Sequence, residues 1–182
     1  MKALTQDEVR RLLVCITDKR DRLLIQLGLV LGCRVSEIVA IRIRDIHPDR
    51  IVIHDEKKDS LRECVLDTES RAQLEHYLAK VWSPEPHRRH MLFYFSCKTA
   101  NRILKKWCET AEIPVEKRHW HTLRHTYVVQ SLDAGVPVNH VCEQTGDSPV
   151  TVLRIYGRPG IDSRRQMINE KGRYWECNPK KN

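Results

Sequence analysis

Two arginines, a histidine and a tyrosine are the residues of this chain whose chemistry fits together best. Arg34 lies in the segment Gly-Cys-Arg-Val-Ser-Glu at residues 32–37, His121 and Arg124 are three residues apart, and Tyr156 follows further along the chain. Two guanidinium groups can hold the oxygens of one phosphate through paired hydrogen bonds. A histidine can move a proton, and a tyrosine hydroxyl can act as a nucleophile. The set therefore favours phosphoryl transfer.

Tyr156 would need activation before it could attack. A tyrosine has a pKa near 10, so roughly one in a thousand is ionised at pH 7. His121 is the candidate base, and its spacing from Arg124 places both side chains on one face of a helix. The arginines would also stabilise charge in the transition state, where losing one such donor typically costs about 3–4 kcal/mol. Taken alone, Arg34 would be a surface arginine paired with Glu37, and Tyr156 would be a core tyrosine.

The charge of the chain indicates a polyanionic partner. Lys and Arg number 32 against 24 Asp and Glu, which gives a formal net charge of +8 over 182 residues. For a basic protein of this kind nucleic acid is the commonest polyanion, although charge alone leaves a solvated basic face equally plausible. The length suits one domain with a core. The sequence contains no apolar run of membrane-spanning length and no signal peptide, which predicts a cytoplasmic protein without a membrane partner.

A metal site is the main competitor for the histidines. His121 and His125 have the spacing of a zincin helix, and His119 adds a third imidazole, but Thr122 stands where such a helix needs glutamate. The seven cysteines are an odd number without a Cys-x-x-Cys pair. They indicate reduced thiols and no zinc knuckle. We therefore expect no functional metal.

The elements that must position these residues are mostly helices. Thr5 and Glu8 form a capping-box pattern ahead of a helix whose apolar face includes Leu12. Apolar spacing predicts further helices at about 19–31, 35–40, 69–81, 99–111, 122–133 and 138–144. Ser148 and Pro149 start a last helix, with Tyr156 in its final turn and with Gly157 and Pro159 ending it. Residues 161–182 are polar and basic, which fits a helix followed by a tail.

A change of period between residues 41 and 65 predicts a small antiparallel sheet. Its three short strands would contain Ile41 and Ile43, then Ile51 and Ile53, then Leu61 and Val65. Lys57 and Lys58 would lie in the last turn of this sheet. Residues 91–95 are either a short strand or a buried segment. The fold class that follows is α+β, mainly helical.

At this point the sequence resembles the tyrosine recombinase family, which includes phage integrases and chromosome-dimer resolvases. The family's Gly-x-Arg-x-Ser-Glu motif matches residues 32–37, and its His-x-x-Arg motif matches His121 and Arg124. Its tyrosine follows a Leu-Gly-His segment by nine residues, which is the spacing from Asp147 to Tyr156. Three motifs in the right order and at the right intervals are a specific signal, and they extend over nearly the whole chain.

The resemblance implies a role for each matching residue. Tyr156 would attack a DNA phosphate held by Arg34 and Arg124, His121 would assist the proton movement, and a 3′-phosphotyrosine would conserve the energy for religation. In the family a lysine on a β-turn protonates the leaving 5′ oxygen. Lys57 matches that lysine best, with Lys58 in reserve. We interpret Glu37 as a supporting residue. His125 either caps or packs, although the family often has a histidine there. The resemblance implies that no cofactor is needed.

Two departures from the family pattern are present. Position 147 usually holds a histidine that donates to the scissile phosphate, whereas Asp147 is an anion that would cap the next helix or pair with an arginine. His119 or His140 could replace the missing donor. The second departure concerns the helical core-binding domain that usually precedes the catalytic one, which we expect to be missing here. The chain would then be an excised domain or a minimal protein with weak, salt-sensitive DNA binding.

These observations predict a recombinase catalytic domain at residues 1–160, with residues 161–182 contacting a neighbouring protomer. The partners would be double-stranded DNA and other protomers, and the protein would be a monomer without DNA. Its function would be site-specific cleavage and rejoining, for integration or excision of a mobile or viral element. Two rivals are a DNA-binding relative weakened in catalysis and a nicking-closing enzyme like the type IB topoisomerases.

Overall fold

The computed structural model describes residues 3–55, 59–84, 87, 90–156, 165 and 169, without the side chains of residues 155 and 156. Its regular elements bear out a mainly helical α+β fold with a small antiparallel sheet. They are α1 (Gln6–Cys15), α2 (Lys19–Leu31), α3 (Val35–Val39), β1 (Ile51–Asp55), β2 (Ser60–Cys64), α4 (Thr68–Lys80), α5 (Cys97–Thr110), α6 (Trp120–Asp133), α7 (Val138–Thr145) and α8 (Pro149–Tyr156).

Helix α1 begins and helix α2 ends as the sequence predicts. The Thr5 side chain accepts a hydrogen bond from the Glu8 N–H at 3.2 Å, and the Glu8 carboxylate accepts one from the Thr5 N–H at 2.7 Å. Helix α2 ends at Gly32, whose φ of 57° is left-handed. A side chain at Gly32 would meet the Tyr127 ring at 2.6 Å. Glycine therefore serves both the helix end and the close packing of α2 against α6.

The sheet has two strands in the described residues, so the expected third strand is wrong. Strands β1 and β2 pair antiparallel from Ile51 with Cys64 to Asp55 with Ser60. Residues 43–45 form a 3-10 turn instead of a strand. The N–H groups of Asp45 and Ile46 bond within this turn, so they cannot extend a ladder, and only isolated bridges remain at residues 42 and 46. The alternating isoleucines here reflect burial.

Residues 91–95 form a buried segment, one of the two expected outcomes. Met91 makes a single bridge with Arg42, and Leu92 and Phe93 are buried. The segment therefore bonds to the chain just before the 3-10 turn, where the Leu92 N–H donates to the Ile41 carbonyl at 3.0 Å, without entering the sheet.

A large apolar core joins helices α1, α2, α3, α4 and α5 to β1 and to the first turn of α6, and a smaller one joins α6, α7 and α8. The smaller cluster consists of Val128 on α6, Val141 and Cys142 on α7 and Val152 on α8. Helix α8 begins at a Ser148 cap, whose hydroxyl accepts the Thr151 N–H at 3.2 Å, and ends at Tyr156 as expected. The smaller core thus fixes where the helix carrying Tyr156 lies. The expected end signals at Gly157 and Pro159 lie outside the described residues.

Candidate active site

Arg34 is held by two buried carboxylates. It precedes α3, and its Nη1 donates to Glu37 Oε1 at 2.8 Å and to Asp55 Oδ2 at 2.9 Å. The backbone N–H of Arg34 also donates to Glu37 Oε2 at 2.7 Å. The pairing of Arg34 with Glu37 is the one that their spacing indicates. A guanidinium bound this way keeps its plane fixed while 30% of its side chain stays exposed.

Arg124 is held by the protein backbone instead. Its Nη1 donates to the carbonyls of Gly32 and Thr145, both at 2.8 Å. Gly32 ends α2 and Thr145 is the last residue of α7, and carbonyls at helix ends lack partners within their own helix. The negative ends of two helix dipoles therefore face one guanidinium, whose side chain is only 3% exposed.

Asp147 lies between the two arginines. Its Oδ2 is 2.6 Å from Arg124 Nη2, and its Oδ1 is 3.8 Å from Arg34 Nη2. The short contact is an ion pair in which the N–H is not aimed at the oxygen, because Arg124 Nη2 has no aligned hydrogen-bond partner. Of the two expectations for Asp147, arginine pairing is confirmed. Ser148, the neighbouring residue, is the cap of α8.

Glu37 joins Arg34 to a third arginine, Arg62 on β2. Arg62 donates from Nη1 to Glu37 Oε1 at 3.1 Å and from Nη2 to Oε2 at 2.7 Å, a paired fork. Burial opposes ionisation of Glu37, but the hydrogen bonds and charge of Arg62 and then of Arg34 hold its pKa below the ordinary value. Glu37 is therefore an ionised support for both guanidiniums.

The histidines differ in their environments. His121 lies exposed in the first turn of α6, where partial burial and then the positive charge of Arg124 lower its pKa. His125 is buried on the same helix, and His119 contacts the Glu116 carbonyl and the Thr122 hydroxyl. His140 is exposed on α7. Among the residues that the structure describes, no group of three or more His, Cys, Asp or Glu side chains could hold a metal ion.

The structure brings four of the predicted residues together and leaves others undescribed. Arg34, Glu37, Arg124 and Asp147 form one contiguous cluster. Tyr156 is placed by its backbone at the end of α8. Lys57, Lys58, the Tyr156 side chain and all of residues 161–182 except 165 and 169 lie outside the described residues.

Sequence reasoning missed two members of the cluster. Asp55 is not among the residues that the sequence singles out, yet β1 buries residues 51, 53 and 55 on one face. That alternation could have shown that Asp55 faces inward with Ile51 and Ile53. Arg62 is likewise not singled out by the sequence. Its bonds to Glu37 and to the Gln144 carbonyl at 3.1 Å join segments far apart in the chain. The sequence around Arg62 contains no pattern that indicates these bonds.

Known proteins resemble this chain in sequence over most of its length. The model of the Phage integrase family matches residues 2–160. Tyrosine recombinase XerA of Pyrococcus furiosus is 30% identical over 166 residues, which cover 86% of this chain and 57% of that protein. A tyrosine recombinase of Pseudothermotoga lettingae is 30% identical over 160 residues, covering 84% of this chain and 54% of the relative. The chain thus spans less than two thirds of these relatives.

Solved structures share the fold. A crystal structure of XerA recombinase superposes with a TM-score of 0.78 at 24% identity and covers 96% of this chain and 65% of that one. The catalytic domain of bacteriophage HP1 integrase superposes with a TM-score of 0.66 at 19% identity, covering 97% and 98% of the two chains. In the described residues no helix is long and apolar enough to cross a membrane.

Proposed function

This chain belongs to the Phage integrase family, and on that premise we propose that it is the catalytic part of a tyrosine-type site-specific DNA recombinase. The observation that supports this most is the convergence of Arg34 and Arg124. Each guanidinium is anchored through Nη1, and each directs Nη2 towards a shared position that now holds a carboxylate. Two fixed guanidiniums around one anion position suit a phosphodiester.

Tyr156 is the proposed nucleophile. Its hydroxyl oxygen attacks the phosphorus of one DNA strand, a 3′-phosphotyrosine bond forms and the bond to the 5′ oxygen breaks. His121 accepts the tyrosine proton, and Lys57 donates a proton to the leaving 5′ oxygen, with Lys58 as the reserve. The reverse sequence, with a new 5′ hydroxyl as the attacking group, rejoins the strand. Atoms and charges balance without a cofactor.

The lowered pKa of His121 supports its role as proton acceptor. Partial burial and the charge of Arg124 shift the equilibrium towards the neutral imidazole, which can accept a proton near pH 7. Arg34 and Arg124 stabilise the charge that grows on the phosphate oxygens during attack. Glu37, Asp55 and Arg62 act as positioning residues, because each bonds to a guanidinium or to the partner of one. His125 would support the helix from its buried side.

The partners in this proposal are double-stranded DNA and further protomers. The net charge of +8 suits the DNA backbone. Residues 1–160 would form the catalytic domain, and residues 161–182 would contact a neighbouring protomer on DNA, with the protein monomeric otherwise. A XerH recombinase bound to its difH substrate and a Tn1549 transposon integrase bound to transposon DNA share the fold. Integration or excision of a mobile element, in the cytoplasm at the nucleoid, is the corresponding role.

Covalent trapping tests the proposed chemistry. A nicked suicide duplex carrying a candidate attachment site loses a short fragment on cleavage, so the protein–DNA adduct accumulates and migrates slowly on a denaturing gel. We expect an adduct with the unaltered chain and none with Tyr156→Phe, whose ring is retained without the hydroxyl. An adduct that persists in Tyr156→Phe would assign the nucleophile elsewhere.

A binding protein without turnover is the second candidate, because Asp147 occupies the position where the phosphate should lie. This candidate predicts retention of the duplex on a native gel with no adduct in the trapping assay. The two functions are therefore separated by one gel run under native and denaturing conditions.

A further inference from the structure

The two arginines of the site use their atoms in the same way. Nη1 of Arg34 bonds to Glu37 and Asp55, and Nη1 of Arg124 bonds to two backbone carbonyls. Nη2 of both residues is directed to Asp147, at 3.8 Å and 2.6 Å. Anchoring is thus separated from anion contact within each guanidinium, and Asp147 takes part only in the anion contact.

The arginines therefore do not need Asp147 to hold their positions. Arg124 retains its two carbonyl bonds, and Arg34 retains its two carboxylate partners, if the Asp147 side chain moves away. The N–H groups on Arg124 Nη2 are also poorly aligned with Asp147. A phosphate oxygen with better alignment would make a stronger charge-assisted bond than the carboxylate now makes.

The charges of the cluster cancel only because of Asp147. Three guanidiniums, those of Arg34, Arg62 and Arg124, face three carboxylates at Glu37, Asp55 and Asp147. A phosphodiester that enters with Asp147 in place meets a formally neutral cluster. The same phosphodiester meets one positive charge once Asp147 has been displaced.

The position of Asp147 in the chain permits displacement. It lies between Gly146, which ends α7 with a left-handed φ of 75°, and Ser148, which caps α8. Its side chain is 18% exposed, compared with 3% for Arg124, so it lies on the solvent side of the ion pair. Rotation of this side chain requires neither helix to move, because the backbone N–H of Asp147 bonds separately to the Thr145 hydroxyl at 3.3 Å.

We propose that Asp147 is an internal counter-ion that occupies the phosphate position between Arg34 and Arg124, and that an incoming phosphate must displace it. The identification of that phosphate as part of DNA rests on the proposed function. The competition itself does not, because any small oxyanion of phosphate geometry would displace the same carboxylate. Because it competes with the incoming anion, Asp147 lowers the affinity of the site for phosphate.

The opposite role would make Asp147 a positioning residue that orients Arg124 for its ligand. The two roles predict changes of opposite sign when the negative charge is removed. Asp147→Asn retains the shape and one acceptor for Arg124 but lacks the charge. Asp133→Asn removes the same charge from an exposed residue of α6, nine residues beyond Arg124 and about 13 Å along the helix axis. It is the matched control for a general change in net charge.

Inorganic phosphate is the first probe. Melting temperatures would be measured against phosphate concentration, with sodium chloride at matched ionic strength as the reference. We expect the phosphate concentration for half-maximal stabilisation to fall about tenfold in Asp147→Asn, the equivalent of one charge-assisted contact. It should stay unchanged in Asp133→Asn, and Asp147→Glu, which keeps the charge, should remain as weak as the unaltered chain.

A fluorescent duplex of arbitrary sequence is the second probe, with every variant in a Tyr156→Phe background so that no strand is cut. Anisotropy titrations at several salt concentrations would give the slope of log K against log salt. One additional effective phosphate contact should make this slope steeper by about 0.9 in Asp147→Asn than in Asp133→Asn.

The outcomes separate the inference from the proposed function. Phosphate binding in Asp147→Asn that is equal to or weaker than in Asp133→Asn overturns the counter-ion and assigns Asp147 to positioning or to no role. Tighter phosphate binding in Asp147→Asn, combined with no adduct in the trapping assay, retains the counter-ion and rejects the recombinase proposal. Tighter binding with an adduct supports both.

Discussion

The guanidiniums of Arg34 and Arg124 are held by different kinds of hydrogen-bond acceptor. Arg34 is held by the carboxylates of Glu37 and Asp55 and keeps 30% of its side chain exposed, whereas Arg124 is held by the ends of α2 and α7 and keeps 3%. Backbone carbonyls are present in any sequence with this fold, while carboxylates must be supplied by particular residues. The Arg124 guanidinium is therefore positioned by the fold itself, and the Arg34 guanidinium by replaceable side chains.

Replacing Arg124 should have the largest effect on folding. Arg124→Ala leaves the Gly32 and Thr145 carbonyls without their donor and Asp147 without its nearer partner, so we expect the free energy of unfolding to fall by about 3–5 kcal/mol. Urea unfolding measures this. The exposed Arg102→Ala on α5 should change it by less than about 0.5 kcal/mol. Similar losses in the two variants would refute the anchoring of Arg124 by helix ends.

Neutralising Glu37 tests the carboxylate side of the comparison. Glu37→Gln weakens the support of Arg34 and Arg62 together, and we expect a loss of about 2–3 kcal/mol. Glu63→Gln is the matched control on β2, because Glu63 is 65% exposed and pairs with Arg50 at 2.8 Å. That exposed pair should contribute at most about 1 kcal/mol.

The pH dependence of the same variant sharpens this test. Because Arg62 and Arg34 hold the pKa of Glu37 below its ordinary 4.5, its stabilisation is present above pH 4.5 and is lost as the pH falls through the folded-state pKa. The unaltered chain and Glu37→Gln should therefore converge in stability at acid pH. Unfolding curves that stay parallel down to pH 3 would contradict the ionised support.

Arg34→Ala should separate activity from stability. The Glu37–Arg62 fork remains intact, so we expect a loss of only about 1–2 kcal/mol in unfolding free energy. Under the proposed function, adduct formation should nevertheless slow by several hundred-fold, as in Arg124→Ala. Rates from the suicide duplex, measured below the unfolding temperature of both variants, provide the comparison. Near-normal adduct formation in Arg34→Ala would remove Arg34 from the phosphate site.

The smallest expected effect concerns the pH dependence of adduct formation, which should decline at acid pH as His121 becomes protonated. Burial and Arg124, followed by His119 and Arg34, lower the pKa of His121, and Asp147 opposes them. The midpoint of the decline in adduct formation should therefore lie below pH 6.5, because His121 stays mostly neutral down to its lowered pKa. The decline should move to higher pH in Arg34→Ala, because the loss of a cation near His121 raises the pKa of this histidine. It should not move in His76→Gln on α4. A decline whose midpoint lies above pH 6.5 would exclude His121 as the base.

Much of the fold follows from local sequence patterns. The prediction of a strand at Ile41 and Ile43 is wrong for a physical reason. The Thr5 and Ser148 caps, the Gly32 stop and the helix bounds depend on residues close in sequence, so local reading suffices. The segment at residues 41–46 has strand composition, but the N–H groups of Asp45 and Ile46 bond within a 3-10 turn. Periodicity reports which side chains are buried and does not report where the backbone hydrogen bonds go.

The residues that can do chemistry here are recognisable from local motifs, because Arg34, His121, Arg124 and Tyr156 occur in segments of specific residue types and intervals. What surrounds them depends on the packing of the helices and strands. Asp55, Arg62 and the carbonyls of Gly32 and Thr145 come from separate segments, and no local pattern records contacts over such distances. The same is true of Asp147. Its charge is visible in the sequence, but its position on the two Nη2 atoms depends on how α6 and α7 pack against α2 and α3.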